Sequence, residues 1–232
     1  MTSSGSRCLS NNDWRRIRRW YRTSGRHHLP WRRESSPWSV LLAETLLHRT
    51  RASNVEPIFQ PILARFPSPT ALVSAPEGWI LDTTGLGLGW RARSFVKTCE
   101  ILITEHGGTV PSDRLLLLNL PGVGHYTAAA VRCFGFGFRE PLIDTNTIRV
   151  ASRLTGVRLN PTQHRSKRFA AAVQALSEDG FGSNPDDNYA LLDLASAICL
   201  PTRPKCQGCP VRSSCAIGRA SDGNNVEGRK LT

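Results

Sequence analysis

No stretch of the 232 residues approaches the roughly 20 uninterrupted apolar positions that a membrane helix needs. The segment MTSSGSRCLSNNDWRRIRRWYR also lacks the apolar core of a signal peptide. A membrane protein is therefore not expected, nothing directs export, and the cytoplasm is the expected compartment. Strand-like alternation of apolar and polar residues is missing, and no solenoid repeat recurs. Acidic residues are scarce, 18 against 30 basic, giving a formal charge of +12. Lysine is scarcer still: only Lys97, Lys167, Lys205 and Lys230 occur, and all other basic positions are arginine. Such an excess points to a polyanionic partner, because neutralising phosphates releases counterions. Arginine suits bidentate phosphate contacts, although a GC-rich genome produces the same bias. With 40% hydrophobic residues the chain can fill one or two small cores. That composition excludes a disordered polymer, a collagen-like repeat and a disulfide-stapled miniprotein.

What is present is helical periodicity, so an all-α fold is expected. Trp38, Leu41, Leu42, Thr45 and Arg49 follow helical spacing and predict a helix over 37–51. Glu44, Leu47, His48 and Arg51 share its neighbouring face, as a solvated stripe or as a carboxylate beside DNA contacts. Further helices are expected at 52–66, 75–82, 91–106, 113–118, 125–134, 144–155, 162–177 and 188–199. Pro57 and Pro61 put the continuity of the second in question, while Pro67 and Pro69 mark turns. Trp14, Ile17, Trp20 and Tyr21 define an earlier helix in a segment rich in arginine, whose only acid before residue 34 is Asp13. Its arginine face is either solvated or laid along DNA. The pattern suggests residues 1–36 as a helix packing with a second lobe, 37–152 as a helical bundle, 153–218 as the remainder of that second lobe, and 219–232 as a mobile tail.

Two motifs carry chemistry. In Leu120-Pro121-Gly122-Val123-Gly124-His125-Tyr126-Thr127, one helix ends and another begins. The glycines permit positive φ and uncover backbone amides, which make a phosphate site at a helix start or merely a tight turn. About twenty residues on, Asp144 stands where a helix should begin. Alone it reads as an N-cap. Cys199, Cys206, Cys209 and Cys215 form the only cysteine cluster. In a reducing compartment this means metal before disulfides, and the spacing by itself leaves zinc and iron–sulfur open.

Together these features resemble the helix-hairpin-helix DNA glycosylases of the endonuclease III superfamily, over roughly residues 30–216. Leu42-Ala43-Glu44-Thr45-Leu46-Leu47-His48-Arg49-Thr50 and the Gly85-Leu86-Gly87 loop before Arg91 extend the match. The resemblance implies a two-lobed all-α fold with an iron–sulfur loop, acting as a monomer on double-stranded DNA that contains a mismatched or damaged base. It gives Asp144 the task of stabilising positive charge on the deoxyribose and orienting water, after the base has left the stack. Gly122, Val123, Gly124, His125 and Thr127 would hold the backbone phosphate. The four cysteines would hold a 4Fe–4S cluster. Glu44 would be a pocket carboxylate, and His48, Arg49, Leu86 and Leu88 are candidates for the wedge that fills the vacated stack.

The resemblance also bears on specificity. Tyr126 occupies the position at which the superfamily's strand-cleaving members carry a Schiff-base lysine. A phenol forms no imine, so the expected activity is monofunctional, without efficient lyase action, and Tyr126 would line the base pocket. The hairpin tyrosine, Leu46–Thr50 and the run 192–199 look closest to the glycosylases that remove thymine or uracil opposite guanine. The adenine glycosylases acting on A·G or A·8-oxoguanine are the alternative. They ordinarily carry a small residue at the tyrosine and a large C-terminal domain, for which the 17 residues after Cys215 leave no room. A non-catalytic DNA-binding protein with a zinc loop is the rival from another class.

Overall fold

The structure, a computed structural model, describes residues 9–75, 89–156 and 184–220. Among these residues there are helices and no strands. The α-helices are α1 (Asn11–Ser24), α2 (Pro37–Leu47), α3 (Ala52–Arg65), α4 (Pro69–Val73), α5 (Gly89–His106), α6 (Arg114–Asn119), α7 (His125–Ala130), α8 (Thr145–Thr155), α9 (Pro185–Ala197) and α10 (Ala216–Ala220). No described helix is long and apolar enough to cross a membrane. The expected helix at 162–177, that at 75–82 beyond Ala75, residues Leu86 and Leu88, and the tail from 221 lie outside the described residues.

The chain divides into two compact units, Met1–Arg26 with Pro141–Thr232, and His27–Glu140. The pattern had suggested breaks near 36 and 152. The breaks at 26/27 and 140/141 assign Asp144 to the unit of the cysteines and not to that of the hairpin. The reason is burial: Ile148, Ala151 and Leu154 of α8 share a core with Trp14 and Ile17 of α1 and Leu191 and Leu194 of α9. Helix α1 starts in a capping box, with Ser10 Oγ accepting from the Asp13 amide and Asp13 accepting from the Ser10 amide. Two ion pairs bind the α1 segment to α9. Arg18 donates to Asp187 at 2.6 and 2.9 Å, and Arg26 donates through Nε and its backbone amide to Asp193, both at 2.7 Å. Both carboxylates are buried, so removing either arginine would leave a buried carboxylate without that cation.

The His27–Glu140 unit is organised on α2. Val40, Leu41, Leu42, Ala43 and Leu46 are all buried, so α2 is covered nearly all round and shows no single apolar stripe. The helix ends at Leu47, short of the expected 51, because Arg49 takes a left-handed φ of 56°. Helix α3 runs unbroken through Pro57 and Pro61. Both prolines and Ser53 are exposed, so the carbonyls deprived of a partner can meet water. Pro69 begins α4 instead of marking a turn; Ser68 Oγ accepts from the Ala71 amide and the proline sits at N1. Helix α7 gives way to a π-helical turn, Val131–Gly135. A Cβ on Gly135 would lie 2.8 Å from Pro37 Cα, so glycine is what lets this turn meet the start of α2. Ala128, Ala129 and Ala130 are buried, which permits the close packing of α7 on α2. Glu140 accepts from Arg114 and Arg132 and ties the start of α6 to the segment after the π turn.

Candidate active site

Asp144 is the N-cap of α8, in extended backbone geometry. Its Oδ1 accepts from the amides of Asn146 (2.9 Å) and Thr147 (2.7 Å). Its Oδ2 accepts from the Asn146 side-chain amide at 2.7 Å. Thr147 Oγ1 completes a capping box by accepting from the Asp144 amide at 2.9 Å. Both carboxylate oxygens are therefore held in place while the group stays half-buried. The cap reading of Asp144 is thus structurally true, and it is also what fixes the direction of the carboxylate.

The Asn146 side chain is held in turn. Its Oδ1 accepts from Arg149 Nη1 at 3.2 Å, and Arg149 donates to the carbonyls of Cys199 (2.9 Å) and Ala195 (3.0 Å). Burial pulls the Arg149 guanidinium below its usual range, opposed chiefly by Cys199. Sequence reasoning passed over Asn146 and Arg149. The i, i+2, i+5 spacing from Asp144 was visible, but the carbonyls that orient Arg149 come from 46 and 50 residues away.

The hairpin lies in the His27–Glu140 unit. Gly122 has φ 78°, and a Cβ there would meet Ser94 Oγ at 3.1 Å, so the turn itself requires glycine. Gly124 differs: its φ is −96° and a Cβ would meet nothing within 4 Å. Its packing therefore gives no reason for glycine, and its backbone is exposed. Thr98 Oγ1 donates to the Pro121 carbonyl at 2.6 Å, and the Val123 amide closes the turn on the Leu120 carbonyl. Ser10, Ser36, Ser68, Asp113, Asp144 and Asn184 each cap a helix with a side chain, whereas α3 and α7 begin without a side-chain cap.

In the same unit Glu44 lies half-buried in the last turn of α2, and Tyr126 half-buried in the first turn of α7. His125 is exposed and Thr127 half-buried. His48 caps the end of α2, its amide bonded to the Glu44 carbonyl at 3.1 Å. His48 and Arg49 are exposed at the α2–α3 corner rather than on a helix face. The left-handed backbone of Arg49 is costly for a non-glycine residue, a kind of strain that gathers at functional sites.

Cys199, Cys206, Cys209 and Cys215 line one pocket, together with Val150, Leu154, Leu194 and Ile198. It holds about 400 Å³ of space, part of it open to solvent. Among the described residues no three His, Cys, Asp or Glu side chains converge as ligands of one ion. Burial pushes the Cys209 thiol up to about 11, with neighbouring cysteines adding to the effect, and raises Cys215 as well. Arg153 Nη1 donates to Cys199 Sγ at 3.5 Å, and Cys215 Sγ donates to the Arg153 carbonyl.

A family model described as HhH-GPD superfamily base excision DNA repair protein matches residues 42–174, more than half of the chain. The chain belongs to this HhH-GPD superfamily. A thymine-DNA glycosylase of Aeropyrum pernix is 34% identical over 204 residues, 87% of this chain and 92% of that protein. An adenine DNA glycosylase of Mycobacterium tuberculosis is 35% identical over 219 residues, 92% of this chain and 71% of that protein. The solved structure of a thermostable thymine-DNA glycosylase matches with a TM-score of 0.80 at 30% identity, covering 89% of this chain and 95% of that one. The all-helical HhH-GPD fold expected from the motifs is therefore the fold observed. This HhH-GPD chain carries Glu44, His48, Arg49 and the hairpin in one unit, and Asp144 with the cysteines in the other.

Proposed function

We propose that this protein is a monofunctional DNA glycosylase that excises thymine or uracil mispaired with guanine in base excision repair. The observation that carries it is the Asp144 carboxylate, oriented by two backbone amides and by Asn146. In this reading the hairpin from Gly122 to Thr127 holds a backbone phosphate, and the target nucleotide leaves the duplex. His48 or Arg49, or Leu86 or Leu88 of the loop, fills the gap. Tyr126 and Glu44 line the base pocket. Asp144 stabilises the cationic sugar as the C1′–N1 bond breaks and its electron pair leaves with the base. A water oxygen then bonds to C1′, and one water proton passes to Asp144. Tyr126 has no amine with which to trap the sugar, so hydrolysis ends the reaction. The similarity to thymine-DNA glycosylases along nearly their whole length supports the thymine/uracil reading.

Cys199, Cys206, Cys209 and Cys215 would hold a 4Fe–4S cluster. The four thiols line one pocket and offer the all-cysteine donor set that such a cluster takes. When bound, the cluster supplies four metal–thiolate crosslinks to the loop and takes no part in bond cleavage. The buried thiols favour their neutral form without metal, so loading releases protons.

Adenine opposite guanine or 8-oxoguanine is the second reading, favoured by the 35% identity to an adenine glycosylase. Duplexes carrying T·G, U·G, A·8-oxoguanine and A·G, assayed with and without alkali, decide between them. Release of thymine or uracil, with strand breaks only after alkali, is expected. Release of adenine alone would install the second reading, and no release from any duplex would leave a DNA-binding protein.

A further inference from the structure

Helix α1 turns Trp14, Ile17 and Tyr21 inward. Its outer face carries Arg15, Arg16, Arg19 and Arg22, all exposed. The one acid of the helix, Asp13, is buried and bonded to Ser10 and Ser214, and of these four arginines only Arg16 acts on its charge. The two nearby carboxylates that do reach arginines, Asp187 and Asp193, are taken by Arg18 and Arg26. Among the described residues, no hydrogen bond or ion pair engages the guanidinium of Arg15, Arg19 or Arg22, and Arg19 is touched only at its carbonyl, by Thr23 Oγ1. A merely solvated helix face mixes charge signs, because like charges four residues apart repel. Here Arg15 and Arg19 stand at that spacing with no acid on the exposed face.

We propose that this stripe is a second binding surface for the phosphates of duplex DNA, separate from the hairpin. The proposal rests on the reading that the protein acts on DNA. At about 1.5 Å of rise per residue, Arg15, Arg19 and Arg22 span about 10 Å. One strand of duplex presents a phosphate about every 3.4 Å along its axis, so the stripe is long enough for three. Arg16 continues the surface by bonding to Ser213 Oγ at 3.1 Å, in the cysteine loop that exposes Arg203 and Lys205. The surface reads no base; it holds undamaged duplex while mispairs are sought.

The test is the salt dependence of binding to an undamaged duplex by the full chain. R15Q/R19Q/R22Q should flatten the slope of log affinity against log salt by about 2–3, at about 0.9 per phosphate contact. R15K/R19K/R22K, which keeps the charge, should retain most of the slope and controls for damage to the helix. Base release in a single turnover at saturating protein should be unchanged by either. An unchanged slope in the glutamine variant overturns the proposal, as does loss of binding to phosphatidylglycerol vesicles or duplex RNA while the DNA slope stays intact. Because undamaged duplex is the probe, a failure to release any base, with the slope change present, would remove the glycosylase reading and leave this surface standing.

Discussion

Replacing Asp144 by asparagine separates the helix cap that the structure shows from the catalytic role proposed for this residue. Asparagine caps a helix about as well as aspartate, and its carbonyl oxygen can keep the amides of Asn146 and Thr147 that Oδ1 now accepts. The new NH2 would face the Asn146 amide group, which must turn over and give up its bond from Arg149. That costs about 1 kcal/mol, the worth of one hydrogen bond. The chemistry loses far more. A full negative charge about 4 Å from a developing sugar cation, at an effective dielectric near 20, is worth about 4 kcal/mol. That corresponds to about a thousandfold in rate. D144N should therefore bind mispaired duplex like the native protein and melt within a few degrees of it, yet release base about a thousandfold more slowly in a single turnover. D144A should be as inactive and also lose about 0.5–2 kcal/mol of stability with its cap. A D144N rate within tenfold of the native protein would falsify the catalytic assignment and leave Asp144 a cap alone.

Three further outcomes follow from other contacts. N146A frees Asp144 Oδ2 and should slow base release by about 10-fold, equivalent to about 1.4 kcal/mol, with duplex affinity unchanged; equal rates would mean the two backbone amides orient the carboxylate unaided. G124A should leave the melting temperature nearly unchanged, since a Cβ meets open space, while weakening binding of every duplex; G122A should instead lose about 1–2 kcal/mol through its positive φ. A stable G124A protein with native DNA affinity would remove the phosphate role of that glycine. For Asp13, burial works to raise the carboxyl, but hydrogen bonds from Ser214 and Ser10 prevail and hold it below 3.8. Its contribution is complete above the unfolded value and is lost as pH falls through the lower folded one. S214A should make denaturation begin at a higher pH on the acid side, and superimposable acid transitions would contradict this.

The parts of the molecule readable from residue order are those governed by local chemistry. The Asp144 cap, the positive φ of Gly122 and the cysteine spacing are all decided within a few residues. Helix ends were harder. The length of α2 turned on the left-handed Arg49, α3 continued because both of its prolines face outward, and α4 formed where prolines had suggested a turn. The π turn after α7 reflects the approach of Gly135 to Pro37, a meeting of segments nearly a hundred residues apart.

The sequence by itself therefore determined the helical class, the excess of positive charge and the helix start at Asp144, since periodicity, ionisation and backbone freedom belong to residues and their near neighbours. Only the tertiary structure decided what Asp144 is tied to: Asn146 held by Arg149, and Arg149 held by carbonyls of Ala195 and Cys199. It also decided which arginines are neutralised, because Asp187 and Asp193 reach Arg18 and Arg26 from almost 170 residues away. Hydrogen bonds and ion pairs act over a few ångströms, and folding, not residue order, determines which distant groups come that close.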